Sequence, residues 1–223
     1  MRFRHLPDGR MFVPARGNPP KPPEGYITDP GNKYVFRPIG TVTNKEETLK
    51  ELYQHLYEDP MLNYGRASMR RCPGVKFYEF YKDFLKGRIF DFGCGRGDTV
   101  ALLEKEGYEA WGMDQIDLGS GMLIGDITAP FGTSEHYETA LCMDVFEHIL
   151  DADLKGLMEN MAQCDRQIIS VHTGSAFEAG CKTDLHINKK PFKAWREFLE
   201  TVFDVKEFRQ LGKRRGIFLC VTR

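Results

Sequence analysis

Apolar residues along the chain fall into two periods, and their order predicts the elements. Residues 44–58 carry Leu49, Leu52, Tyr53 and Leu56 at helical spacing, with Asn44 and Glu47 as a capping pair and Asp59-Pro60 as the stop. Residues 61–74 read as a loop with the basic cluster Arg66, Arg70 and Arg71 before Cys72-Pro73-Gly74. A second helical stripe, Phe77, Phe80, Tyr81, Phe84 and Leu85, predicts a helix over 75–86 that ends at Gly87. The pattern then turns to strand. Arg88, Ile89 and Phe90 follow Gly87, and after a glycine-rich turn Val100, Leu102 and Leu103 resume helical spacing. Tyr108–Asp114 predicts a second strand and Met122–Gly125 a short third. Thr139–Asp144 is almost wholly apolar, as a strand buried on both faces requires. Residues 151–163 form an amphipathic helix through Leu154, Leu157, Met158 and Met161, and Gln167–His172 is strand five. Residues 173–190 are a long polar loop. Pro191 opens a helix with Phe192, Trp195, Phe198, Leu199 and Val202 apolar. Phe203–Leu211 and Gly216–Val221 are two strands joined tightly through residues 212–216, a hairpin.

Strands that alternate with helices predict a doubly wound α/β sheet, mostly parallel, with an antiparallel hairpin at its end. The 223 residues suit one such domain, over 87–223, with residues 1–40 and 41–86 as extensions. Hydrophobic content of 41% supports a sizeable core, and a net charge of −1 gives no sign of a nucleic-acid or membrane partner. No apolar run approaches the ~20 residues of a membrane span, and the N-terminal residues lack the apolar core of a signal peptide. The six cysteines form no C-x-x-C pair, which suits reduced thiols in the cytoplasm and neither a disulfide frame nor a zinc site. Eight of the twelve prolines lie in residues 1–40, where Lys and Arg exceed Asp and Glu by four charges. That segment reads as an extended surface strap, or as a docking arm.

The first strand runs into Asp91-Phe92-Gly93-Cys94-Gly95-Arg96-Gly97-Asp98. Glycines let the backbone take positive φ and let a ligand come close to the chain. The dinucleotide fingerprint needs G-x-G-x-x-G, whereas here Gly93, Gly95 and Gly97 alternate. Asp-x-Gly-x-Gly-x-Gly resembles the first motif of the class I S-adenosylmethionine-dependent methyltransferases. The resemblance implies a Rossmann-like seven-stranded sheet, a loop around the methionine part of S-adenosylmethionine, and an Asp91 that orients the loop or the cofactor's amino group. It also implies that the helices of 41–86 form a lid.

Three further motifs agree in order and interval. Asp114 ends the second strand 23 positions after Asp91, where an acid accepts from ribose hydroxyls; nicotinamide enzymes share this device. Asp126-Ile127 follows the third strand, and the resemblance implies an adenine contact, amine to Asp126 and ring to Ile127. Asp144-Val145-Phe146-Glu147-His148-Ile149 resembles the fourth-strand motif of a methyltransferase group that includes quinone-biosynthesis and other small-molecule enzymes. The implied cofactor set is Asp91, Gly93, Cys94, Gly95, Gly97, Asp114, Gln115, Asp126, Ile127 and Asp144.

The implied reaction is methyl transfer from S-adenosylmethionine to an oxygen or nitrogen nucleophile of a small molecule. His148, just after strand four, and His186, in the loop after strand five, are the catalytic candidates, and His172 ends strand five. Their spacing matches no familiar metal site, so no metal is expected. The chain has no Asp-Pro-Pro-Tyr, Asn-Pro-Pro-Tyr or Pro-Cys step after strand four, which argues against methylation of DNA bases. A nucleic-acid or protein acceptor, met by the basic clusters and the proline-rich arm, is the alternative. A cofactor-binding protein without methyl transfer is another.

Overall fold

The computed structural model describes residues 4–5, 11–12, 26–28, 35–38, 72–116, 118, 121–130, 132, 135–175 and 185–223. The chain divides into two units, Met1–Arg66 with Ser175–Leu185, and Ala67–Gly174 with His186–Arg223. The helix expected over 44–58, the basic cluster at 66–71, Cys181 and half of the 173–190 loop lie outside the described residues.

In the first unit four short strands pair antiparallel, β1 (Arg4–His5), β2 (Met11–Phe12), β3 (Tyr26–Thr28) and β4 (Val35–Pro38). Their order is β1-β2-β4-β3. The described parts of the proline-rich segment are therefore paired strands. The short runs Tyr26-Ile27-Thr28 and Val35-Phe36 supply β-branched and aromatic strand formers between the prolines.

The second unit opens with α1 (Pro73–Lys76), α2 (Tyr78–Tyr81) and a 3-10 turn over Lys82–Phe84. This replaces the single helix expected over 75–86. Pro73 takes the first helical position, where its missing N–H costs nothing, and the chain breaks at Phe77, with φ −106 and ψ 12. The break turns Phe77, Tyr81 and Leu85 inward and leaves Phe80 45% exposed. Tyr81 Oη donates to the Gly74 carbonyl at 2.7 Å. Gly74 lies so close to Thr99 that any side chain would collide with it.

The elements that follow are β5 (Ile89–Phe92), α3 (Asp98–Lys105), β6 (Ala110–Asp114), β7 (Leu123–Ile124), β8 (Thr139–Met143), a 3-10 turn (Phe146–His148), α4 (Leu154–Met161), β9 (Arg166–His172), α5 (Phe192–Leu199), β10 (Phe203–Gln210) and β11 (Arg215–Thr222). One seven-stranded sheet results, ordered β10-β11-β9-β8-β5-β6-β7. β5, β6, β7, β8 and β9 are parallel, and β11 is antiparallel to both β9 and β10. This is the doubly wound sheet with a final antiparallel hairpin that the pattern predicts.

Adjacent residues of each central strand enter different cores, as the two-residue period of a strand demands. Ile89, Leu141, Ile168 and Ile217 join Tyr81, Val100 and Leu103 on one side. Phe90, Cys142, Ile169 and Phe218 join Leu157, Met161, Trp195 and Phe203 on the other. Two buried side-chain amides in these layers donate to backbone carbonyls. Asn160 Nδ2 donates to the carbonyls of Ile127 and Ala129, and Gln167 Nε2 donates to those of Met161 and Cys164. β5 is buried along its whole length between β6 and β8, so its loop emerges at the middle of the sheet's carboxyl edge, where α/β folds bind ligands.

Candidate active site

The glycine loop is fastened to the tip of β6. Gly93 and Cys94 both donate their N–H to the Met113 carbonyl, at 2.8 and 3.1 Å. Gly95 N–H donates to Asp114 Oδ2 at 2.9 Å, and Ile116 N–H to Asp114 Oδ1 at 3.2 Å. Gly93, Gly95 and Gly97 all have positive φ, 78, 54 and 73, which a residue with a Cβ takes only at a cost. At Gly93 a Cβ would also stand 2.6 Å from Val145 Cγ2, so this glycine lets the β5 and β8 tips close on each other. Cys94 turns inward. It is 6% exposed, and burial pushes its thiol well above the ordinary range. Its side chain fills the space left by Gly112, so only its backbone faces the loop.

Two acids lie under this loop. Asp91 is 2% exposed, and burial, then the charge of Asp114, raises its pKa to about 8. Burial also raises Asp114, against the N–H groups of Gly95 and Ile116. The charge of Asp114 favours a cationic ligand here and disfavours an anionic one. Gln115 is exposed beside them.

Past β7, Asp126 is exposed and its Oδ1 accepts from both Thr128 N–H and Thr128 Oγ1, at 2.8 and 2.7 Å. The other carboxylate oxygen is the one left for a ligand donor. Ile127 is 7% exposed within the core that contains Phe90 and Leu157, so it offers little surface to an adenine ring.

At the β8 tip Asp144 has φ 57, the sole described residue other than glycine with positive φ. Asp tolerates this conformation better than most side chains. Its carboxylate is held by Ser170 Oγ at 2.6 Å and by Arg215, whose guanidinium also lies over Phe77 at 5.3 Å. Asp144 is therefore a structural anchor between β8, β9 and β11, besides its expected place in the cofactor set. The turn it starts carries Phe146 into the core against Trp195 and places Glu147 and His148 at the edge.

Glu147 is fully buried. Its Oε1 accepts the His172 N–H at 2.9 Å, and its Oε2 has no hydrogen-bond partner. Burial raises its pKa well above the usual carboxylate range. The segment 186–190 is docked beside it. Asn188 N–H donates to the Glu147 carbonyl at 3.0 Å, Asn188 Nδ2 donates to Asp151 Oδ1 at 2.8 Å, and Lys190 pairs with Asp151. This docking puts the His186 ring 4.7 Å from that of His148 and 5.0 Å from that of His172. His186 is 6% exposed, and its Nδ1 donates to the Gly174 carbonyl.

The structure thus brings His148 and His186 together and adds His172. Sequence reasoning overlooked Glu147, Ser170 and Arg215. Glu147 stands in the Glu-His pair of the fourth-strand motif, where its neighbour drew attention. Ser170 and Arg215 carry no local signal, since their role exists only across three strands. The spacing of the histidines in sequence also conceals that they share one corner.

A family model described as a methyltransferase domain matches residues 66–216. A sequence search of curated proteins gives no match. Among solved structures, the chain is similar to the 1,6-didemethyltoxoflavin-N1-methyltransferase of Burkholderia thailandensis, crystallised with 1,6-didemethyltoxoflavin and S-adenosylhomocysteine. The TM-score is 0.61 at 12% identity, over 88% of this chain and 97% of that one. A TehB-like SAM-dependent methyltransferase from Corynebacterium glutamicum aligns with a TM-score of 0.56 at 13% identity, over 77% and 99%. A glycopeptide N-methyltransferase complexed with S-adenosyl-L-methionine aligns with a TM-score of 0.53 at 12% identity, over 68% and 94%. At these identities the likeness is one of fold, and the family match begins ahead of α1 and ends within β11. On that match and that fold, the chain belongs to the methyltransferase-domain family, within the class I S-adenosylmethionine-dependent methyltransferases.

Proposed function

We propose that the chain transfers the methyl group of S-adenosylmethionine to an oxygen or nitrogen nucleophile of a small molecule. In this reading the Gly93–Gly97 loop holds the methionine part of the cofactor, Asp114 its ribose and Asp126 its adenine amine. Asp91 faces the cationic end through the loop. The reaction is an in-line displacement. The nucleophile bonds to the methyl carbon as the carbon–sulfur bond breaks, and S-adenosylhomocysteine leaves. Because the cofactor carries its own leaving group, the chain's work is alignment and removal of a proton.

The observation that carries the acceptor side is the corner formed by Glu147, His148, His172 and His186 beyond the tips of β8 and β9. It adjoins the strand that bears the glycine loop, on the side away from Asp114 and Asp126. His148 and His186 promote loss of the nucleophile's proton, an effect worth about 10²–10⁴-fold where a base is used. Two of the similar structures are small-molecule or glycopeptide N-methyltransferases, which suits an acceptor of that size. Cytoplasmic residence is part of the reading, and the free thiols of Cys72, Cys94, Cys142, Cys164 and Cys220 agree with it. Among the described residues no helix is long and apolar enough to cross a membrane.

The test supplies methyl-labelled S-adenosylmethionine with separate small-molecule, RNA and protein fractions of a cell extract. Label in the small-molecule fraction, reduced at least about tenfold by His148→Ala, is the expected result. Label confined to RNA or protein would overturn the small-molecule acceptor. Calorimetry without binding of S-adenosylhomocysteine would overturn the cofactor assignment.

A further inference from the structure

The corner beyond β8 and β9 holds a second kind of chemistry. One ligand atom from each of Glu147, His148 and His186 lies within 4.8 Å of the other two. Bonds of about 2.0–2.2 Å at tetrahedral angles put ligand atoms about 3.3–3.6 Å apart, so side-chain rotations that draw the three atoms in by roughly 1 Å close the set around one ion. All three sit in one unit of the chain, and Asn188 and Lys190 fix the segment that carries His186.

Two bonding details bear on this set. The Gly174 carbonyl only accepts, so His186 Nδ1 carries the proton of that bond. His186 Nε2 then faces Glu147 Oε1 at 3.9 Å, too far for a hydrogen bond. An imidazole with one N–H on a backbone carbonyl and its other nitrogen presented to a carboxylate has the bonding of a metal ligand. Independently, Glu147 Oε2 is fully buried and has no hydrogen-bond partner. Buried carboxylate oxygens are otherwise almost always paired or bound to a cation.

We propose that Glu147, His148 and His186 bind a divalent first-row transition-metal ion. Two imidazole nitrogens and one carboxylate oxygen suit Zn²⁺, Co²⁺, Fe²⁺ or Mn²⁺ better than Mg²⁺ or Ca²⁺, which prefer oxygen alone. Asp144 is not a ligand, because Ser170 and Arg215 already hold its two oxygens. Three protein ligands leave positions open for water or for an acceptor hydroxyl. The binding of the ion stands by itself, while its use rests on the methyl-transfer reading. There the ion takes the acceptor oxygen, the hydroxyl proton passes to solvent, and the resulting alkoxide attacks the methyl carbon as the carbon–sulfur bond breaks.

The experiment titrates Co²⁺ into the full chain after chelator treatment and dialysis. Co²⁺ is chosen because thiolate ligation from the cysteines announces itself by a near-ultraviolet charge-transfer band that imidazole and carboxylate ligands do not give. One Co²⁺ per chain, with visible d–d absorption and without the thiolate band, is expected. His148→Ala, at a half-buried side chain, should lower Co²⁺ affinity at least about tenfold, and Glu147→Gln likewise. S-adenosylhomocysteine affinity, measured on the same samples, should stay within about threefold in His148→Ala and so report an intact fold. No Co²⁺ uptake, uptake with thiolate absorption, or equal affinity in wild type and His148→Ala would overturn the site. The first of these would mean that His186 and Glu147 pair directly. Loss of S-adenosylhomocysteine binding in wild type would instead strike the methyl-transfer reading and leave the metal result to stand or fall by itself.

Discussion

Gly95 donates its backbone N–H to Asp114 Oδ2 at 2.9 Å, so the loop after β5 and the tip of β6 form one rigid piece. Asp114→Ala removes both the acceptor for this N–H and the expected partner of the ribose. Cofactor binding should weaken by about 1–3 kcal/mol, the range for stranding hydrogen-bonding groups. Calorimetry with S-adenosylhomocysteine measures it, and an unchanged dissociation constant removes Asp114 from the site.

Asp91 gives the protein a pH dependence of definite sign. Its pKa of about 8 exceeds the value of an unfolded Asp, so the folded chain holds a proton that the unfolded chain has lost. The stability from this group is complete below about pH 4 and is lost as pH rises towards about 8. A cationic cofactor prefers the carboxylate form, so affinity for S-adenosylmethionine should climb with pH and level off above about 8. Asp91→Asn should flatten both trends relative to wild type, as read by thermal melts and by binding at several pH values.

Arg215 and Asp144 should be separable by a double-mutant cycle. Arg215→Met leaves the Asp144 charge with Ser170 alone. The loss should be about 2 kcal/mol, below the range for fully buried pairs, because the Arg215 side chain is 28% exposed. Adding Asp144→Asn should recover part of it in urea unfolding. Equal midpoints for wild type and Arg215→Met would show that the pair contributes nothing.

Gly93 carries two separable costs. Gly93→Ala brings a Cβ against Val145 Cγ2 and also places alanine at φ 78. Val145→Ala in the same chain should relieve the first cost and leave about 1–2 kcal/mol of the second. Full recovery of the unfolding midpoint in the double variant would show that the backbone conformation carries no cost.

What the sequence revealed follows from how local each cause is. The Thr139–Met143 run names a central strand because four of its five residues are apolar, and all five are buried. Alternate glycines before Asp98 name the loop because positive φ is a property of single residues. The helix over 75–86 misled because its apolar spacing is sound while the break at Phe77 serves contacts with Thr99 and the sheet, remote in sequence. Ile127 lies mostly in the core, and a strand-end apolar residue reads alike for a core position and for a ring contact. The histidine corner was only half legible. Its residues were named singly, but what groups them is the Asn188 bond to Glu147, invisible until the chain folds back.

The place of β11 has a consequence for the order of assembly. This strand comes after all the others in sequence, yet it lies between β9 and β10. Until it arrives, β9 presents an unpaired edge, and β10 has no partner in the sheet. Arg215, its first residue, is also the cation that Asp144 requires. The β8 tip beside the histidines is therefore fastened by a pair, Asp144 and Arg215, far apart in sequence, whose loop entropy must be overcome before it forms. A nascent or truncated chain that ends before Arg215 should keep the glycine loop's local turns but not the β8 tip, so methyl-transfer competence and completion of the fold arrive together.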